Sequence, residues 1–581
     1  MQPREFLTTQ EEVDLKVDGE KICSQIYRSE YRDHMEGTPL GDFLADFVEL
    51  QNDPTAAYRA FHVLACLGSV HGRFRQRFLQ TVSGADLVMM VVKHVEDKLV
   101  QRKAMYFISV LAMEEDNRIL LIEANIVQAL GEVVTKLYDS DDVLQRAGIA
   151  FSNLSIVPFE KKVAIGQEGG IRIIKEVISR PDINVATLMA CLVTLRNVTV
   201  ACHENMLICR DENMPEIVFN IMISRKHNLG VQGQAVVVMT YLTKQDDELR
   251  ERIGKSPEKL EAFVNLIKAS GRSQSVAEHT LELLKVLLDK NDSATEIVRK
   301  NNLIEIIQER FDAFSSSAKF VENACAVLRA LGFLNEPRDM MRELGIFERL
   351  ISSLRHYDSN VNVVEQCLCA ISNACVDNPK NQESLGMRGA VEATIHVMEM
   401  HRENPLLQDY GCRALRNLAD NCEFNVRIEG ENGGINAATF AILGFPRNAV
   451  LTEQACAVLS NMAQSEQNAI RMLQQDVQDI VTQALQSIDS EDAQKQATRV
   501  LLALKTHVDR AELASQGRDS AAGKNMGHVP SGIYRFRSGQ AVVSRRTVNR
   551  RMGRMRLKSM QRQEVKSNDT VDPGGAGQSL T

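Results

Sequence analysis

Between residues 66 and 503 the chain returns to one local pattern at steps of 42 to 45 residues. The clearest returns centre on an asparagine after a run of small and aliphatic side chains: Asn153 in FSNLS, Asn197 in LRNVT, Asn373 in ISNAC, Asn417 in LRNLA and Asn461 in LSNMA. Weaker stretches put Cys66, Val110, Tyr241, Lys285, Ala330 and Ala503 at the same place, which makes eleven units. A supersecondary unit of this length cannot bury its apolar face alone and must stack on its neighbours. The period therefore predicts a helical solenoid, not the three or four globular domains that 581 residues would otherwise suggest.

Three helical pieces are readable inside a unit. In 420–461, residues 421–434 form a short helix ending in a glycine break, 435–444 a second helix, and 449–464 a third, with Pro446 stopping any continuation. The breaks recur at Gly169-Gly170, Gly345, Gly389 and Gly433-Gly434, where glycine permits a sharp turn. In the third helix of one unit Gly411, Ala414, Leu415 and Leu418 share one face, while Arg413, Arg416 and Asp420 lie opposite with Asn417.

A short helix, a glycine turn, a second helix and a long third helix carrying Leu-Ser-Asn or Leu-Arg-Asn resemble the armadillo repeat, with the HEAT-type repeat as its near variant. The motif is sharp in units 3, 4, 8, 9 and 10 and degenerate in units 5 to 7. The resemblance implies an all-α, right-handed superhelical solenoid of about eleven three-helix repeats. The expected organisation is an N-terminal segment over 1–36, a capping helix over 37–56, the solenoid over 57–508 and a disordered basic tail over 509–581. Leu40, Phe43, Leu44, Phe47 and Val48 supply the cap's apolar stripe.

The resemblance also implies a function. Third helices of armadillo proteins line a concave groove, and their asparagines hold the backbone of an extended peptide. That role carries over to Asn153, Asn197, Asn373, Asn417 and Asn461. An amide offers donors and an acceptor, matching a peptide unit. The competing reading is that these residues brace the solenoid. Importin-alpha places tryptophan four residues before the asparagine; here those places hold Ile149, Val193, Cys369, Arg413 and Ala457, and the chain has no Trp. That argues against nuclear-signal binding of that kind, and leaves a nuclear transport adaptor as a distant alternative. Arg196, Arg413 and Arg416 add positive charge and point to acidic or phosphorylated segments.

Charge divides the chain. Residues 509–581 hold 14 basic and 6 acidic side chains, which leaves −16 on residues 1–508 of a chain whose net charge is −8. Residues 509–530 read as a linker. The basic cluster includes Arg545, Arg546, Arg550, Arg551, Arg554, Arg556 and Lys558. Four roles compete for it: contact with a polyanion or acidic surface such as tubulin tails or anionic lipid, a nuclear localisation signal, a basic amphipathic helix for a calmodulin-like partner, and a tether folding back on the acidic body. The first keeps a microtubule or axonemal structural component as the main alternative to a scaffold or adaptor.

No P-loop, H-E-x-x-H or G-x-S-x-G motif is present, and Cys202, His203 and Glu204 fall at an ordinary inter-helix turn. The twelve cysteines lack metal spacing; Cys191, Cys325, Cys367, Cys412 and Cys456 recur near the asparagine position as small core residues. No enzyme activity, cofactor or metal is expected. The charged start lacks an apolar leader and no long apolar run occurs, so a soluble cytoplasmic protein is expected, with cytoskeletal or nuclear placement as alternatives.

Overall fold

The computed structural model describes residues 53–521 apart from 71 and 272, with side chains as far as 511 except at 81. The expected N-terminal segment, most of the expected capping helix and the basic cluster of the tail lie outside them. The described residues form 31 helices and no strand. They fall into the third helix of a first repeat, Pro54–Val70, followed by ten complete repeats of three helices. All eleven positions of the sequence series lie inside third helices, the degenerate repeats 5 to 7 included.

The described residues pack as two compact units that divide between Met340 and Met341. In the first, third helices stack in order: Pro54–Val70, Lys98–Leu111, Asp141–Leu154, Val185–Thr199, Leu229–Lys244, Gln274–Leu288 and Ala318–Leu331. In the second, Val361–Cys375, Pro405–Ala419, Ala449–Met462 and Glu491–Ala521 do the same. The last helix runs well into the stretch whose composition reads as a linker from 509.

Several local devices set this architecture. First and second helices meet at a residue in the left-handed region: Gly169, Gly345, Gly389 and Gly433, but also Asn125, Asn213, Asn302 and Asp476. Asparagine and aspartate tolerate that conformation because their short polar side chains bond locally. Repeats 3, 5, 7 and 11 thus keep the turn without the glycine, whereas in repeat 6 Ser256 opens the second helix from an extended conformation. Third helices open on capping asparagines: Asn184, Asn228, Asn360, Asn404 and Asn448 each accept from a backbone N–H of the first turn. Each such cap is worth about 1 kcal/mol.

A sealed asparagine at the third position of many first helices ties repeats together. Asn117 donates through Nδ2 to Leu111 O at 3.1 Å and to Arg75 O at 2.7 Å. Asn205 does so to Val198 O and Lys162 O, and Asn425 to Leu418 O and Gln382 O. Each bond pair joins a carbonyl in the last turn of the previous third helix, where helix geometry leaves carbonyls without partners, to a carbonyl within the previous first helix. Between these layers lies the apolar core. It contains Phe78 edge-on to Phe107 at 4.9 Å in the first unit, and the buried thiols of Cys367, Cys412 and Cys456 in the second. Burial pushes the Cys191 and Cys456 thiols up to about 12, as inert core groups require.

Candidate peptide-binding face

The five asparagines singled out by the sequence occupy one place, the last turn of the third helix, and each is half-buried. Four of them reach back across a repeat boundary. Asn153 donates to Ser109 O at 2.8 Å, Asn197 to Ser155 Oγ at 2.9 Å, Asn417 to Ser372 Oγ at 2.9 Å, and Asn461 to Arg416 O at 3.1 Å. An amide nitrogen bracing the stack still carries a second N–H, and the oxygen is a separate acceptor.

The oxygens divide the row. Arg196 folds over its neighbour and donates to Asn197 Oδ1 from Nε at 3.2 Å and Nη2 at 3.1 Å. Arg416 donates to Asn417 Oδ1 at 3.2 Å and to Gln454 Oε1 at 2.7 Å. The Oδ1 atoms of Asn153 and Asn461 meet no protein donor among the described residues and are the open acceptors of the row. Asn373 holds the equivalent place in repeat 8.

The positive charge expected at Arg413 is balanced. Its Nε donates to Asp409 Oδ2 at 2.9 Å, one turn earlier on the same helix. Asp409 belongs to a row absent from the sequence reading: Glu365, Asp409 and Glu453, each eight residues before Asn373, Asn417 or Asn461. Stepping back two helical turns from each asparagine would have found it. Three carboxylates therefore stand beside two guanidiniums on this face of the second unit. The tail residues Arg545, Arg546, Arg550, Arg551, Arg554, Arg556 and Lys558 lie outside the described residues.

Cys202 caps the first helix of repeat 5, and its thiol is pushed up by burial, the opposite of what a nucleophile needs. A hollow of about 200 Å³ beside it is lined by His203, Arg210, Gln245, Asp246 and Asp247, but Asp246 is occupied capping Leu249 N.

Comparison with known proteins agrees with the repeat assignment. Residues 335–376, which are repeat 8 to just past its third helix, match the family model of the armadillo/beta-catenin-like repeat. The chain is built of armadillo-type repeats. It is similar to the structure of an engineered protein, with a TM-score of 0.61 and 16% identity over 72% of this chain and 98% of the other. It is also similar to a chain solved in a study of a phosphorylation switch controlling the interaction between cadherin and beta-catenin. That likeness has a TM-score of 0.65 and 14% identity over 86% of this chain and 99% of the other. At such identities the likeness is one of armadillo fold. A search of the curated proteins finds no match. No helix among the described residues is long and apolar enough to cross a membrane.

Proposed function

We propose that this protein is a non-enzymatic cytoplasmic scaffold that holds an extended segment of a partner protein along its third-helix face. The observation that carries the reading is the half-buried asparagine at one place in repeats 3 and 4 of the first unit and repeats 8, 9 and 10 of the second, with open acceptors at Asn153 and Asn461. Helices packed about 8–10 Å apart match two or three residues of an extended chain rising about 3.3 Å each. The interaction between cadherin and beta-catenin, named for the similar structure, supports a protein partner in kind. The proposal takes 57–508 as the binding body and 509–581 as a tail that adds a second contact on an acidic surface, consistent with the +8 and −16 charge division.

Panning a library of extended peptides against the full chain tests this. Selected peptides should lose about five- to tenfold in affinity on Asn461→Ala or Asn153→Ala, while far-UV circular dichroism is unchanged. Equal binding to wild type and both variants refutes the groove. Binding carried by the tail should fall steeply with salt and vanish on deletion of 522–581, whereas groove binding should survive both.

A further inference from the structure

Among the described residues, the seventh residue of every first helix is buried in the core. Leu121, Ile165, Cys209, Ile253, Met341 and Leu385 hold this place in repeats 3 to 6, 8 and 9, each at most 1% exposed. The other described repeats place a phenylalanine, valine or methionine there, with one exception. Repeat 10 has Glu429, which is 0% exposed, and neither carboxyl oxygen has a hydrogen-bond partner. A buried polar group without a partner costs free energy, and an ionised one costs far more, so the carboxyl stays protonated. Burial alone pushes its pKa well above the ordinary range.

No base is placed to relieve it. The helix Glu423–Glu431 packs against Pro379–Met387, Ala390–Met400, Pro405–Ala419, Gly434–Gly444, Ala449–Met462 and Glu466–Gln474. The buried titratable groups on those helices are Asp409, Cys412 and Cys456; every other titratable side chain on them is at least partly exposed. The Cys412 thiol is itself raised, first by burial and then by Asp409, Cys456 and Glu429. No guanidinium, ammonium or imidazole is among these buried groups, and the half-buried Arg413 is engaged with Asp409.

We propose that Glu429 is a proton-held latch: neutral, it lets the first helix of repeat 10 stay packed, and ionised, it drives that helix out of the stack. The latch would loosen the repeat that carries Asn461, so the grip of the third-helix face would depend on pH. The sign follows from linkage. The packed state binds the proton more tightly than the open state. Packing is therefore strongest below the ordinary carboxyl value of about 4.3 and weakens as pH rises towards the buried value. In that window the opening equilibrium grows about tenfold per pH unit, because one proton is released.

Hydrogen exchange of the full chain, read by mass spectrometry from pH 5 to 9 and corrected for intrinsic rates, tests the latch. Amides of 423–431 should lose protection by up to tenfold per pH unit, while those of 379–387, where Leu385 holds the seventh place, stay level. In Glu429→Gln and in Glu429→Leu the corrected protection of 423–431 should be flat with pH, and higher than wild type at pH 8 in the leucine variant. Flat protection in wild type, or the same slope in the leucine variant, overturns the proposal. The leucine variant keeps the test decisive if glutamine disturbs the core.

Discussion

Gly386→Ala sets two physical rules against each other. Gly386 is the eighth residue of the helix Pro379–Met387. By helix propensity alone, alanine should stabilise it by up to about 1 kcal/mol. The packing says otherwise. A Cβ at 386 would stand 1.7 Å from Asn425 Oδ1 and 2.7 Å from its Cγ. The Asn425 side chain is sealed, and its Nδ2 donates to Leu418 O at 2.7 Å and Gln382 O at 2.8 Å. Its Oδ1 has no hydrogen-bond partner and rests against the glycine, the kind of approach a Cα–H can make favourable. Alanine must push this amide aside. Each lost bond is worth about 1 kcal/mol, and a buried group left unmade costs about 1–3 kcal/mol, so the net effect is a loss of about 2–4 kcal/mol. Urea unfolding followed by circular dichroism would show the drop, and hydrogen exchange would place it in repeats 9 and 10, where a repeat protein can open locally. In an Asn425→Ala background the same substitution should turn neutral or stabilising. An unchanged or raised midpoint in the single variant, or an equal cost in both backgrounds, would refute the reasoning.

Three further outcomes are expected. Gly433 has φ 96° and open space around it, so Gly433→Ala tests backbone strain alone and should cost about 1–2 kcal/mol in thermal or urea unfolding, whereas Asn213→Gly should change stability by less than about 0.5 kcal/mol. Glu282 bridges repeats 5, 6 and 7 through Lys244 at 2.6 Å and Lys319 at 3.0 Å. Burial pushes its carboxyl up, but the two lysines outweigh burial and hold it below the ordinary value, so its contribution is present above that value and is lost as pH falls through the depressed one. Glu282→Gln should lower the urea midpoint at pH 7 and lower it progressively less as the pH falls below the ordinary carboxyl value. Asn461→Ala removes the bond to Arg416 O and should cost about 1 kcal/mol without loss of helicity, read by the same unfolding.

Sequence alone reached the repeat, because each unit must bury the same stripe and therefore repeats the same apolar spacing. The third helices of the degenerate repeats 5 to 7 were located by the period, although Tyr241, Lys285 and Ala330 replace the asparagine. The left-handed turns were legible only where glycine marks them; Asn125, Asn213, Asn302 and Asp476 do the same work with residues that are common everywhere in a chain.

What remained for tertiary structure was partnership. Asn417 reads as a groove residue in one dimension, yet its amide nitrogen is engaged by Ser372, 45 residues earlier, and its oxygen by Arg416. Arg413 reads as free positive charge until Asp409 is seen beside it. Glu429 reads as an ordinary surface glutamate in NVRIEGENGG and is in fact sealed at a place other repeats give to apolar side chains. A hydrophobic period is set by neighbours three and four residues away, so a sequence displays it. A hydrogen bond or a desolvated charge depends on atoms brought close from the adjacent repeat, and only the stacked fold decides which atoms those are.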